Sequence, residues 1–276
     1  MNSPPEICRR MRIALGTTVV IEASTHAAGA ASQAAAAVAS AFAAIARVEY
    51  LLHPSRAGSD LALINAAACA SSVGVRKETL RVLALARRVH QASEGVFDPC
   101  TPSASGRFSD IEIADDGSVR CRAPVSIDLG GIAKGFAVDL AIEALQESGC
   151  RTGFVNAGGD MRAFGHEAHQ IIVRRAAGVD IAVTLCDSAL AVSDIDADGS
   201  GRPPEHRGYY SRCFDERNSR EPGLHQRFAA VTAAEAALAD ALTKCVLLGS
   251  PGMTSRLMTR FGASLIATNN YTDSVL

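Results

Sequence analysis

Ile127-Asp128-Leu129-Gly130-Gly131-Ile132-Ala133-Lys134-Gly135-Phe136-Ala137-Val138-Asp139 sets a carboxylate, a glycine pair and a lysine between an apolar strand and a helix. Val125 to Leu129 reads as a strand end. Gly130 and Gly131 then let the backbone turn with positive φ or approach a ligand closely, and the following helix aims its unpaired N–H groups at whatever lies there. An anion suits such a place, and Lys134 adds a full positive charge to it. Taken alone, the same stretch is also compatible with an ordinary strand-to-helix turn carrying a solvated lysine.

Outward from this stretch, Val138, Ala141, Ile142 and Leu145 fall at i, i+3, i+4 and i+7 on one helix face, and the chain turns at Gly149. A strand then runs through Gly153-Phe154-Val155-Asn156-Ala157 into a second pair, Gly158-Gly159, followed by Asp160. No G-x-G-x-x-G follows either strand and no G-x-x-x-x-G-K-[ST] occurs, so dinucleotide-fold and P-loop sites have no support.

Elsewhere the pattern alternates α and β without a clear linker. Thr17 to Glu22 reads as a strand, and Ala30 to Leu52 as an Ala-rich helix with Val38, Ala41, Phe42 and Ile45 on one face. Lys77 to Ala92 reads as a second helix. Asp110 to Arg122 reads as a hairpin turning at Asp116-Gly117. Strands follow near Gln170 to Arg174, Asp180 to Leu185 and Leu190 to Val192, then a long loop from Asp194 to Gly223 with one strand at Gly208 to Phe214. Thr232 and Glu235 have the spacing of a capping box for the last helix. The Asp116-Gly117 hairpin favours antiparallel pairing, while the helix between Val125 and Phe154 permits parallel pairing too.

That last helix carries a second chemical cluster. Asp240, Thr243 and Lys244 lie at i, i+3 and i+4 and project from one face. A plain surface ion pair is one reading. With Leu238, Ala241 and Leu242 beside it, however, the carboxylate is at least partly buried and needs a cation. Magnesium suits carboxylate, hydroxyl and carbonyl oxygens, and the chain has no His and Cys at zinc spacing. His166 and His169 read as an exposed turn.

The 276 residues, 48% hydrophobic, suffice for a large core, and a net charge of -2 leaves no basic stripe for a nucleic-acid partner. Arg9, Arg10 and Arg12 read as a solvated flank, residues 1–12, before a single domain over 13–276. No run of 18 apolar residues predicts a membrane span. With no secretory or lipoprotein pattern at the start, a cytoplasmic location is expected. Eight scattered cysteines, without C-x-x-C, read as reduced and mostly buried thiols.

D-L-G-G-I-A-K-G-F-A-V-D, followed by the strand with N-A-G-G-D, resembles the signature of the ApbE family, the FAD:protein FMN transferases. The resemblance continues in order through Leu15-Gly16-Thr17, Ser59-Asp60-Leu61-Ala62-Leu63-Ile64-Asn65, Gly95-Val96-Phe97-Asp98-Pro99, Ala191-Val192-Ser193 and Ala239-Asp240-Ala241-Leu242-Thr243-Lys244. It implies an α+β domain of T-fold type, with antiparallel sheets and packed helices. It also implies FAD as substrate, a magnesium ion held by Gly131, Asp240 and Thr243, and flavin-nucleotide contacts from Leu15, Val96, Phe97, Asp98, Asp128, Lys134 and Phe214. The implied reaction moves FMN from FAD to a Thr or Ser hydroxyl of an acceptor protein and releases AMP. Asp240 is the candidate catalytic base. FAD hydrolysis to FMN and AMP, and flavin binding without catalysis, are the alternatives.

Three departures stand beside the resemblance. Relatives read H-I-I-D-P-R-T-G where this chain has Arg212-Cys213-Phe214-Asp215-Glu216-Arg217-Asn218-Ser219. Many carry a Thr four residues after the Asp, where this chain has Lys244. The segment from Pro99 to Phe108 is shorter than usual, and Cys100-Thr101 replaces the Thr just after D-P.

Overall fold

The computed structural model describes residues 6–25, 30–67, 69, 71–101, 103–114, 116–175, 180–194 and 227–268. The elements are β1 (Glu6–Ala14), β2 (Thr17–Thr25), α1 (Ala30–Leu51), α2 (Asp60–Ala66), β3 (Ser72–Gly74), α3 (Lys77–Ala92), β4 (Ile111–Ile113), β5 (Ser118–Cys121), α4 (Ala133–Glu147), β6 (Thr152–Ala157) and β7 (Asp160–Phe164). They continue with β8 (His169–Val173), β9 (Ile181–Leu185), β10 (Ala189–Asp194), β11 (Phe228–Ala233), α5 (Ala236–Leu248), α6 (Pro251–Phe261) and β12 (Ser264–Thr268).

Seven strands form one sheet in the order β1-β2-β6-β7-β10-β11-β12, beside a three-stranded sheet β3-β5-β4 and a two-stranded ribbon β8-β9. Every strand pairing within them is antiparallel. The fold is thus α+β with antiparallel sheets, and the parallel option falls away.

The period-2 alternation of the strands divides the core between the two sheet faces. Ala189 and Ala191 of β10 and Ala229 and Val231 of β11 join the large cluster that holds the helices. Leu190, Phe228 and Ala230 join a smaller cluster with Val173, Val183 and Leu185 of the β8-β9 ribbon. On α1, Ala34, Ala37, Val38, Ala41, Phe42, Ile45, Val48 and Leu51 are all buried, the i, i+3, i+4 stripe expected of a helix lying on a sheet. By length and composition alone α1 is apolar enough to cross a membrane. Its buried stripe belongs instead to the core between α4 and the sheet.

Several local expectations are corrected. The boundary between residues 12 and 13 falls inside β1, because Arg9, Arg10 and Arg12 alternate along a strand paired with β2 from Glu6 to Ala14. Val125 to Leu129 is not a strand. Pro124 lacks a donor, only Cys100 and Ile127 bridge, and the Asn65 side-chain amide supplies the missing ladder by accepting from Ile127 N at 2.7 Å and donating to Ile127 O at 3.0 Å. Positive φ is absent from Gly130 and Gly131; it occurs at Gly158 and Gly159, in the tight β6–β7 turn. Thr232 lies in β11, so no Thr232–Glu235 box starts α5. His169 opens β8 with its ring stacked on Phe154. The loop expected from Asp194 to Gly223 and its strand at Gly208 to Phe214 lie outside the described residues beyond Asp194.

Candidate functional site

Two tight turns and two helix ends meet at one end of the large sheet. The β1–β2 turn uses Leu15 and Gly16, both at positive φ (55° and 70°), with Leu15 N donating to Glu49 Oε1 near the end of α1 at 3.1 Å. A non-glycine residue held in the left-handed region stores strain. The β6–β7 turn lies against it, since a Cβ on Gly158 would stand 2.5 Å from Thr17 Oγ1.

Beyond that turn the alternation of β7 aims Asp160 and Arg162 at α4. Lys134 Nζ donates to Asp160 Oδ2 at 2.5 Å, and Arg162 pairs with Asp139 at 2.7 Å. Five residues along a helix and two along a strand both span roughly 7 Å, so the two ion pairs share one register. Asp139 also accepts from Ala236 N and Ala237 N at 2.9 and 2.8 Å, taking over the cap of α5 that the sequence assigned to Thr232. Burial raises the Asp139 pKa, against the pull of Arg162 and these two N–H groups.

The α5 cluster adjoins the first turn of α4. Asp240 and Thr243 are fully buried and Lys244 nearly so, which rules out the surface-pair reading. Asp240 Oδ2 accepts from Gly135 N at 3.2 Å, so the first turn of α4 meets a carboxylate of this chain. Lys244 Nζ donates to Asp240 Oδ1, to Ser193 Oγ at 2.8 Å and to Thr243 Oγ1 at 3.2 Å. Thr243 Oγ1 donates to Asp240 O at 2.7 Å and lies 2.7 Å from Ser193 Oγ. Burial pushes the Asp240 pKa up, but Lys244, Lys134 and the Gly135 N–H outweigh it and hold the group below its ordinary value. Asp160 goes the other way. Burial first, and the Asp240 charge second, raise its pKa to about 6, and its Oδ1 is buried without a hydrogen-bond partner among the described residues.

Of the residues singled out in the sequence, Leu15, Lys134, Asp240 and Thr243 are brought to this end of the sheet. Asp128 and Gly131 lie in the loop before α4, where Asp128 Oδ1 accepts from Gly130 N at 2.8 Å. The turn carrying Val96, Phe97 and Asp98 is tied to that loop through Asp128 N and Pro99 O at 2.8 Å. Phe97 is fully buried, so its side chain serves packing, and Asp98 Oδ1 accepts from Cys100 N and Phe108 N. Phe214 lies outside the described residues. Sequence reasoning gave no role to Asp160, Ser193 or Asn65, although Asp160 follows the second glycine pair in the same order in which Lys134 follows the first.

The residues present do not fit a magnesium ion on Asp240 and Thr243. A hydroxyl has one donor and two lone pairs. Thr243 uses the donor on Asp240 O and both lone pairs on Ser193 and Lys244, while an ammonium already holds Asp240 Oδ1. Among the described residues no group of three or more His, Cys, Asp and Glu side chains is placed to hold a metal. A separate cavity of about 830 Å³, lined by Arg87, His90, Arg107, Phe108 and Arg122, adjoins the turn at Gly95.

The ApbE family model matches residues 15–105 and 104–265. The flavinyl transferase ApbE of Pseudomonas stutzeri is similar in fold at 18% identity and TM-score 0.75, with 95% of this chain and 90% of that one covered. The flavin transferase ApbE of Vibrio cholerae gives 19% and 0.76 over 95% and 93%. The ApbE protein of Thermotoga maritima gives 22% and 0.74 over 95% and 94%. No curated protein is significantly similar in sequence.

Proposed function

The chain belongs to the ApbE family, and from that premise we propose that it binds FAD at the end of the large sheet and transfers FMN from it to a Thr or Ser hydroxyl of an acceptor protein, releasing AMP. The observation that carries this reading is the meeting of the first turn of α4 with Asp240 of α5 through Gly135 N, from segments 105 residues apart, beside the Lys134–Asp160 pair. Lys134, about a third exposed and paired with Asp160, is the partly exposed cation of this cluster that a diphosphate would meet. The Leu15-Gly16 and Gly158-Gly159 turns bring backbone close on the adjoining side.

In the reaction the acceptor hydroxyl oxygen bonds to the FMN-side phosphorus as the bond from that phosphorus to the bridging oxygen of AMP breaks in line, and the hydroxyl proton passes to solvent water. Lys134 neutralises charge on the non-bridging oxygens. Asp240, with both oxygens engaged and its pKa depressed, is matched to anchoring Lys244 and α4 rather than to accepting the hydroxyl proton.

A second reading has one specific observation in its favour. With Lys244 filling the oxygen cage, the chain would hold FAD without moving FMN. Mixing the purified protein with FAD and following flavin fluorescence, AMP release and covalent flavin on an added acceptor separates the outcomes. Covalent flavin with AMP supports transfer, AMP with free FMN supports hydrolysis, and bound but intact FAD supports a binding protein. Absence of any FAD binding would remove all three.

A further inference from the structure

Lys244 is the cation in this cluster that the proposed flavin chemistry does not use. It sits one helical turn after Asp240, so its four-carbon stem folds back over that turn and delivers the ammonium to the carboxylate. An ammonium has three donors, and among the described residues three oxygens lie in reach of them: Asp240 Oδ1, Ser193 Oγ and Thr243 Oγ1. These oxygens come from two elements, β10 and α5, and all three side chains are buried. A carboxylate and two hydroxyls around one positive centre are the donor set that a hard cation would seek.

Charge balance points the same way. Among the described residues, Asp160 is paired with Lys134 and Asp240 with Lys244. A divalent cation entering beside a buried ammonium would meet repulsion at close range in a poorly screened interior.

We infer that Lys244 is the resident cation of this site: its ammonium occupies the place among Asp240, Thr243 and Ser193 that a divalent metal would otherwise take, so FAD binds through Lys134 in the absence of divalent ions. The statement about FAD rests on the function proposed above; the statement about the cation does not. A chelator cannot remove a cation that is part of the chain, and a Thr in its place would reopen the cage.

The test uses the full chain, freed of metal, and two titrations. Mn2+ is added without nucleotide and followed by the electron paramagnetic resonance signal of the free ion. FAD binding is read from flavin fluorescence with either EDTA or Mg2+ present. The wild type is expected to show no saturable Mn2+ binding and the same FAD affinity, within about twofold, in both media. Lys244→Thr is expected to gain saturable Mn2+ binding and to bind FAD on the order of tenfold more weakly in EDTA than with Mg2+. Saturable Mn2+ binding by the wild type, FAD binding that EDTA abolishes, or a folded Lys244→Thr that takes up no Mn2+ would each overturn the inference. If Lys244→Thr does not fold, the wild-type titrations decide. If FAD binds in neither medium, the flavin reading fails while the Mn2+ titration still settles the resident cation.

Discussion

Asp160 shows at the level of a single residue what the cluster does to protons. Its pKa is raised in the folded chain from 3.8 to about 6, so between those values the native state binds more protons than the unfolded one, and this residue's contribution to stability declines as pH rises through the window. Asp240 is shifted the opposite way; the stability it contributes is present above 3.8 and is lost as pH falls through its lower folded value. Asp160→Asn, which keeps an acceptor for Lys134, is therefore expected to gain stability relative to wild type between about pH 4 and pH 6. Urea midpoints across that range check it, and parallel curves for the two proteins would contradict the assignment. Lys134→Ala removes the partly exposed cation beside Asp160 and is expected to weaken FAD binding by about tenfold or more, measured by fluorescence titration. An unchanged affinity would place the diphosphate elsewhere.

Helix α4 is where the element scale decides the site, because its first turn must lie almost on the backbone of α5. A Cβ on Gly135 would stand 2.3 Å from Ala236 O and 2.7 Å from Ala237 Cα, with no flexible side chain to yield. Gly135→Ala is expected to cost about 1–3 kcal/mol, read as a lower urea midpoint, and to weaken FAD binding by displacing Lys134. Asp139→Ala removes the cap of α5 and strands Arg162, for an expected loss of about 2–4 kcal/mol. Combined with Arg162→Ala it should cost less than the sum, because both act on one ion pair. The sequence displayed the parts that depend on local period: α3 occupies the span read for it, Lys77–Ala92, and the β4–β5 hairpin turns at Asp116-Gly117 as expected. It concealed what is supplied across the fold. Thr232 has the right spacing to cap α5, yet the sheet takes it and a carboxylate 97 residues away in α4 does the capping. The segment before Gly130 has strand-like residues, but it bridges only at Cys100 and is otherwise held by the Asn65 side chain, which no period reveals. Lys134 and Asp240 were visible as residue types. That Asp160 and Ser193 complete their pairing depends on which face β7 and β10 turn towards the helices.

At the scale of the whole molecule, the large sheet separates a helix-bearing face, where the site lies at one end, from a face covered by the β8-β9 ribbon. The site is drawn from segments around residues 15–17, 128–135, 158–160 and 240–244, which are distant in sequence and share no local cooperative unit. A ligand bridging them must therefore stabilise them together, since opening any one would release its contacts with the rest. FAD is expected to slow amide hydrogen exchange in the first three segments, and in α5 where exchange is measurable, while leaving β8 and β9 unchanged. The 830 Å³ cavity lined by Arg87, Arg107 and Arg122 provides the contrast. Arg87 and Arg122 already donate to Ile111 O and Ser109 O, so their charges are tied to the cavity wall. Protection confined to residues 107–114 and the end of α3 would put the flavin nucleotide in that cavity and separate it from Lys134. Protection spreading from the Leu15 turn to the start of α4 would instead mean that the strained β1–β2 turn, the glycine turn beside it and Lys134 act on one ligand.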